Sequence, residues 1–249
     1  MKNKVLRIKN LKKIYHDKKS EIEALKDINF DVYEKEFVSI VGPSGCGKST
    51  ILSILSGLED KSSGTIDMNK ELSIGYMLQD DSLFSWRTIL ENSLLGLEIT
   101  GKLNDESKEY VINLLKAYGL YEFKDKYPKS LSGGMRQRVA LIRTLATKPD
   151  ILLLDEAMSA LDYQSRLTIS EDIYKIIKRE GITVIMVTHD IAEAISMSDR
   201  VLVLSKRPAV VKKVYDIKLT NKSTPINNRK CKEFFDYYDK IWRDLDEYI

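Results

Sequence analysis

Phe37-Val38-Ser39-Ile40-Val41-Gly42-Pro43-Ser44-Gly45-Cys46-Gly47-Lys48-Ser49-Thr50 is the stretch on which the fold turns. Its first five residues form an apolar, β-branched run of strand length that leads straight into a Gly-rich turn. Residues 48–55 then read as a helix with Ile51, Leu52, Ile54 and Leu55 facing inward. The turn satisfies G-x-x-x-x-G-K-[ST], and a strand before it with a helix after it is the setting that pattern needs. Its glycines let the backbone curl so that successive N–H groups converge on an anion, and the helix N-terminus adds partial positive charge. Gly42, Pro43, Ser44, Gly45, Cys46, Gly47, Lys48, Ser49 and Thr50 are therefore candidate ligands of a nucleoside triphosphate. Lys48 reaches the β- and γ-phosphates, and the Ser49 hydroxyl suits Mg²⁺. A Gly-rich turn matching by coincidence would occur in about one chain of this length in a hundred. For Cys46 a reactive thiol is conceivable, but the position asks only for a small residue.

Outward from this turn, residues 74–78 read as a strand and 88–121 as helical, with Val111, Leu114, Leu115 and Tyr118 at three- and four-residue steps around a charged connector, 100–108. A further helix runs over 133–148, where Pro149 stops it. Then come strand 151–154, helix 163–179, strand 183–187, helix 191–197 and strand 201–204. Short apolar strands alternating with amphipathic helices predict an α/β fold whose parallel sheet is covered on both faces. The helical stretch 81–129 interrupts that alternation and reads as an inserted helical subdomain. The tail, 228–249, reads as one amphipathic helix carrying Phe234, Phe235, Tyr237, Tyr238 and Trp242. No internal repeat is present, so the chain holds one nucleotide-binding unit.

Composition excludes several classes. With 249 residues, 43% apolar and 31% charged, and only 12 Gly and 5 Pro, the chain is neither disordered nor collagen-like. No apolar run approaches the roughly 18 residues of a membrane span. The start is basic but lacks an apolar stretch, so no signal peptide is expected. Two cysteines, Cys46 and Cys231, make neither a disulfide framework nor a metal-ligand spacing, which fits a reducing cytoplasm. Forty basic against 37 acidic residues is too balanced to indicate nucleic acid. The early lysines (Lys9, Lys12, Lys13, Lys18, Lys19) read as a solvated loop.

Ile151-Leu152-Leu153-Leu154-Asp155-Glu156 is an apolar strand ending in two acids. Parallel strands deliver side chains to a ligand at their C-terminal ends. Asp155 is then the candidate Mg²⁺ ligand, direct or through water, and Glu156 the candidate base for water attacking the γ-phosphorus. His189 follows its own strand in the same way; His16 has no such setting.

Leu131-Ser132-Gly133-Gly134-Met135-Arg136-Gln137-Arg138 carries the LSGG signature, and with the phosphate loop and the Asp155-Glu156 strand in this order the chain resembles ATP-binding-cassette (ABC) ATPases over about its first 210 residues. The resemblance implies a P-loop NTPase core, a mostly parallel sheet with N-terminal antiparallel strands, and an inserted all-α subdomain. It implies that Gln79 contacts Mg²⁺ or the attacking water, that His189 contacts the γ-phosphate, and that Tyr15 stacks on adenine. Ser159-Ala160-Leu161-Asp162 matches the D-loop, placing Asp162 at the nucleotide. Ser132, Gly133 and Gly134 open a helix whose free N–H groups suit a phosphate. In this family they serve the site of another subunit, so the resemblance implies that this chain pairs head-to-tail with a second copy of itself, a homodimer closing on ATP and opening on hydrolysis. Ala157-Met158 stands where many importer ATPases have Pro-Phe, which removes no catalytic group.

The segment after Gln79, Asp80-Asp81-Ser82-Leu83-Phe84-Ser85-Trp86-Arg87-Thr88, resembles that of nitrate/sulfonate/taurine-type importer ATPases. There it lies in the groove that receives a helix of the membrane permease, so Leu83, Phe84 and Trp86 are expected at that contact, with local packing the alternative for one of them. A periplasmic or lipid-anchored substrate-binding protein would act indirectly. The expected place is the cytoplasmic face of the membrane, bound peripherally. The expected parts are residues 1–80 and 149–215 for the core, 81–148 for the helical subdomain, and 216–249 for a linker and C-terminal helix. A soluble iron–sulfur cluster assembly (SUF-type) ATPase is the alternative of the same size.

Overall fold

The computed structural model describes residues 3–17, 20–69, 71–158 and 162–246. Among these residues nine strands form one sheet: β1 (Lys4–Asp17), β2 (Ser20–Tyr33), β3 (Phe37–Val41), β4 (Ser63–Met68), β5 (Ile74–Met77), β6 (Ile151–Asp155), β7 (Thr183–Val187), β8 (Arg200–Leu204) and β9 (Ala209–Asp216), in the order β4-β1-β2-β9-β8-β3-β7-β6-β5. β8, β3, β7, β6 and β5 run parallel, while β1 pairs antiparallel with β2 and β4, and β9 with β8. The helices are α1 (Lys48–Leu55), α2 (Ile89–Ile99), α3 (Asp105–Ala117), α4 (Gly133–Leu145), α5 (Tyr163–Glu180), α6 (Ile191–Met197), α7 (Pro225–Asn228) and α8 (Lys232–Asp246).

The central strands are buried end to end because both faces are covered. Alternation then divides each strand between two cores. Leu152 and Leu154 of β6, with Val184 and Met186 of β7, join α2, α3, α4 and α5 on one face. Ile151, Leu153, Ile185 and Val187 face the other side, against α1 and the inner residues of β1 and β2. Each fully buried Leu or Ile contributes on the order of 1.5–3 kcal/mol through its apolar area.

Three expectations are corrected. Lys9, Lys12 and Lys13 lie in β1, not in a loop: Leu6, Ile8 and Leu11 bury one face of that strand while Lys12 pairs with Glu23 of β2 at 2.9 Å. Lys18 and Lys19 fall outside the described residues. α4 ends at Leu145, because Lys148 already has a left-handed backbone (φ 50°) ahead of Pro149. The tail is not one helix. α7 stops at Asn228, whose buried side chain donates to Ser196 O at 2.7 Å, and α8 begins only at Lys232. Ile241 and Phe234 of α8 pack into a third core with Ile191 and Ile195 of α6.

Candidate active site

β3 delivers the phosphate loop to the parallel strands' C-terminal ends. Gly47 is the N-cap of α1 with φ 114°, and an added Cβ would meet Leu25 Cδ2 at 2.8 Å, so conformation and space both require glycine there. No side chain caps α1, which leaves its first N–H groups facing a cavity of ≈ 240 Å³ lined by Ser44, Gly45, Gly47, Lys48, Ser49, Thr50 and Glu156. Lys48 is buried, and its Nζ donates to Gly42 O (2.9 Å) and Pro43 O (3.1 Å) at the loop's inner rim. Cys46 is buried beneath the loop, and burial pushes its thiol up, away from the reactive thiolate. A larger cavity, ≈ 500 Å³, lies at the opposite strand ends beside Ile151 and Thr183, far from this chemistry.

β6 brings the acids to the same cleft. Ser49 Oγ donates to Asp155 Oδ1 at 2.9 Å, and the Tyr76 hydroxyl donates to Asp155 Oδ2 at 3.0 Å. Burial raises the Asp155 carboxyl, and the Ser49 and Tyr76 bonds oppose that. Burial and the neighbouring Asp155 charge push the Tyr76 phenol up to about 12, so it stays a donor. Glu156 has a left-handed backbone (φ 44°), and its N–H donates to Val187 O at 2.9 Å. Its Oε2 receives Gln79 Nε2 at 3.4 Å and lies 3.4 Å from His189 Nδ1. Gln79, Glu156 and His189 thus converge from the ends of β5, β6 and β7. A serine hydroxyl and a buried carboxylate side by side are hard oxygen donors of the kind Mg²⁺ takes, one or two from protein and the rest from phosphate and water.

Tyr15 sits beside this cleft. Its hydroxyl donates to Glu59 Oε2 at 2.6 Å and lies 3.3 Å from Thr50 Oγ1, while Lys13 Nζ stands 4.8 Å from its ring centroid. The signature lies apart from this cavity. Ser132 caps α4, accepting from Met135 N at 3.3 Å, and Gly133 and Gly134 form the first turn. Asp162 caps α5, and bonds from Ser165 and Gln164 hold its carboxyl below the usual range. Ser159, Ala160 and Leu161 fall outside the described residues.

α4 grips the loop that follows Gln79. Gln137 Nε2 donates to Gln79 O (3.3 Å), Arg136 Nε to Asp81 Oδ2 (2.8 Å), and Arg143 to the carbonyls of Asp81 and Ser82 (2.8 Å each). Beyond it, Leu83 is partly buried against the core, whereas Phe84 is 37% and Trp86 70% exposed, their rings stacked with centroids 4.8 Å apart. Sequence reasoning missed Tyr76, Gln137 and Arg143. Only for Tyr76 was there a signal, the strand neighbouring the acid pair.

The ABC transporter family model matches residues 25–159, just over half of the chain. The chain belongs to the ABC transporter family. This cassette is 43% identical over 247 residues to an uncharacterised ABC transporter ATP-binding protein of Bacillus subtilis, covering 96% of this chain and 95% of that one. It is 38% identical over 247 residues to a nitrate import ATP-binding protein of Synechocystis, covering 95% and 93%. Among solved structures, the dimeric bacterial ABC transporter cassette MJ0796 superposes with a TM-score of 0.73 at 32% identity, covering 86% of this chain and 99% of that one. That cassette has also been solved as a dimer bound to ADP and phosphate.

Proposed function

We propose that the chain is the ATP-hydrolysing subunit of an ABC importer that drives uptake of a small solute of the nitrate, sulfonate or taurine kind through a separate membrane permease. The convergence of Gln79, Glu156 and His189 beside the phosphate loop, at 3.4 Å for both contacts to Glu156, carries the hydrolytic part of this reading, and the nitrate import relative supports the importer part. Gly42–Thr50 cradle the triphosphate, with Lys48 on its β- and γ-oxygens and Tyr15 stacked on adenine. Ser49 and Asp155, with Gln79 nearby, would hold Mg²⁺, which supplies charge neutralisation on the same oxygens. Glu156 takes a proton as water oxygen bonds to the γ-phosphorus, and the bond to the bridging oxygen breaks with its electron pair leaving on ADP. His189, beside Glu156, contacts the γ-phosphate.

Ser132, Gly133, Gly134 and Asp162 serve the site of a second, identical chain packed head-to-tail. ATP closes that pair and hydrolysis opens it. The dimeric MJ0796 cassette supports this arrangement. Residues 1–80 and 149–215 act as the ATPase core, 81–148 as the lever toward the permease, and 216–249 as an accessory tail. Phe84 and Trp86 dock the permease, which places the cassette peripherally at the cytoplasmic face of the membrane. The nitrate import relative favours this over iron–sulfur cluster assembly. The test is Glu156→Gln: turnover drops roughly 10²–10⁴-fold, as for loss of a general base, while Mg-ATP binding persists and the dimer is trapped on a sizing column. Wild-type hydrolysis by the variant sinks the assignment.

A further inference from the structure

The turn carrying His189 is held from behind by a buried carboxyl group. Glu193, in the first turn of α6, is 4% exposed. Its Oε2 accepts the Thr188 hydroxyl, and its Oε1 has no hydrogen-bond partner among the described residues. Thr188 Oγ1 in turn accepts from Asp190 N at 3.0 Å, and Asp190 Oδ1 accepts from Glu193 N at 3.0 Å. Arg166 of α5 anchors Asp190 Oδ2 at 3.1 Å. The residues on both sides of His189 are therefore tied, directly or through one another, to Glu193. Of the three turn side chains, the half-exposed imidazole alone reaches toward Glu156.

Helix geometry does not call for this carboxyl, since Asp190 already caps α6. Nor does packing, because an apolar side chain of similar size would fill the space without the cost of burying an acid. Burial pushes Glu193 up to about 7, with Asp190 adding to the rise and the Thr188 bond, Arg166 and Arg229 opposing it.

We propose that Glu193 is a positioning residue for ATP hydrolysis: through Thr188 it fixes the backbone on both sides of His189 and so aims the imidazole at the attack site. This rests on the reading of His189 as the γ-phosphate contact. A misaimed group costs about 10- to 100-fold in turnover.

The chain has two histidines, so His16→Gln leaves His189 as the one imidazole signal in an NMR spectrum of the full-length protein. In that background, Glu193→Ala and the near-isosteric Thr188→Val are expected to shift the His189 resonance. Both lower kcat about 10- to 100-fold with KM for Mg-ATP within about twofold. Glu193→Gln and Thr188→Ser, which keep the acceptor and the hydroxyl, restore most of the rate. Thr188→Val keeps the test open if the alanine variant fails to fold. A folded Thr188→Val protein with an unmoved His189 signal and wild-type kcat overturns the proposal, as does a loss confined to KM. His189→Ala with wild-type turnover removes instead the underlying role of His189, and the His189 resonance still decides whether Glu193 holds the ring.

Discussion

The backbone of Glu156 is left-handed, a conformation that costs an L-residue about 1–3 kcal/mol and that clusters at functional sites. Here it turns the chain at the end of β6 so that Asp155 points to Ser49 while Glu156 points to Gln79 and His189. Asp155, Glu156, Lys48 and Ser49 were legible in the sequence because each lies within a few residues of the strand end that presents it. Tyr76 was less so, since only the sheet register brings its hydroxyl to Asp155, and Glu193 was not, since nothing in the sequence around it says that its carboxyl is buried under Thr188. Cys46 illustrates the other limit: its position in the loop left a reactive thiol open, and burial closes that reading. Alkylation by a maleimide is accordingly expected to label Cys231 first, with Cys46 modified only through local opening and more slowly still under saturating Mg-ATP. Mass spectrometry of the peptide around Cys46 over time reads this out, and rapid, nucleotide-independent labelling would contradict it.

Helix α4 and the loop it grips form one mechanical unit. Four side-chain bonds from Gln137, Arg136 and Arg143 tie residues 79–82 to the helix that begins with the signature. Asn92 organises the next turn, accepting from Phe84 N at 2.8 Å and donating to the carbonyls of Phe84, Arg87 and Thr88. The stacked aromatic pair is thus presented on a braced loop. Phe84→Ala with Trp86→Ala should leave ATP binding and the thermal midpoint near wild type, while co-purification with the permease is lost. Leu83→Ala should instead lower the midpoint, because that side chain packs inward. Retained association in the double variant would remove the docking role. The resemblance in sequence located this segment, but the division between Leu83 and its two neighbours depends on which way a short irregular loop turns.

The alternation of strands and helices from residue 37 onward was enough to read the α/β class and most element boundaries. The first 33 residues were less legible, because β1 and β2 are long, charged on one face and interrupted by register shifts, so no clean period of two survives. The helical stretch read as an insertion shares its core with the sheet. Leu97 of α2, Leu114 of α3 and Val139 of α4 lie in one apolar cluster with Leu152, Ile173 and Met186. A sheet face buried this way cannot be uncovered piecemeal. Trypsin acting at the exposed Lys102, in the turn between α2 and α3, should therefore nick the chain without releasing either half. The cut protein is expected to elute as one species under native conditions and to part into two bands only in detergent. In that sense the peptide link at this turn is dispensable, and the shared interior is what holds α2 to α3, α4 and the sheet.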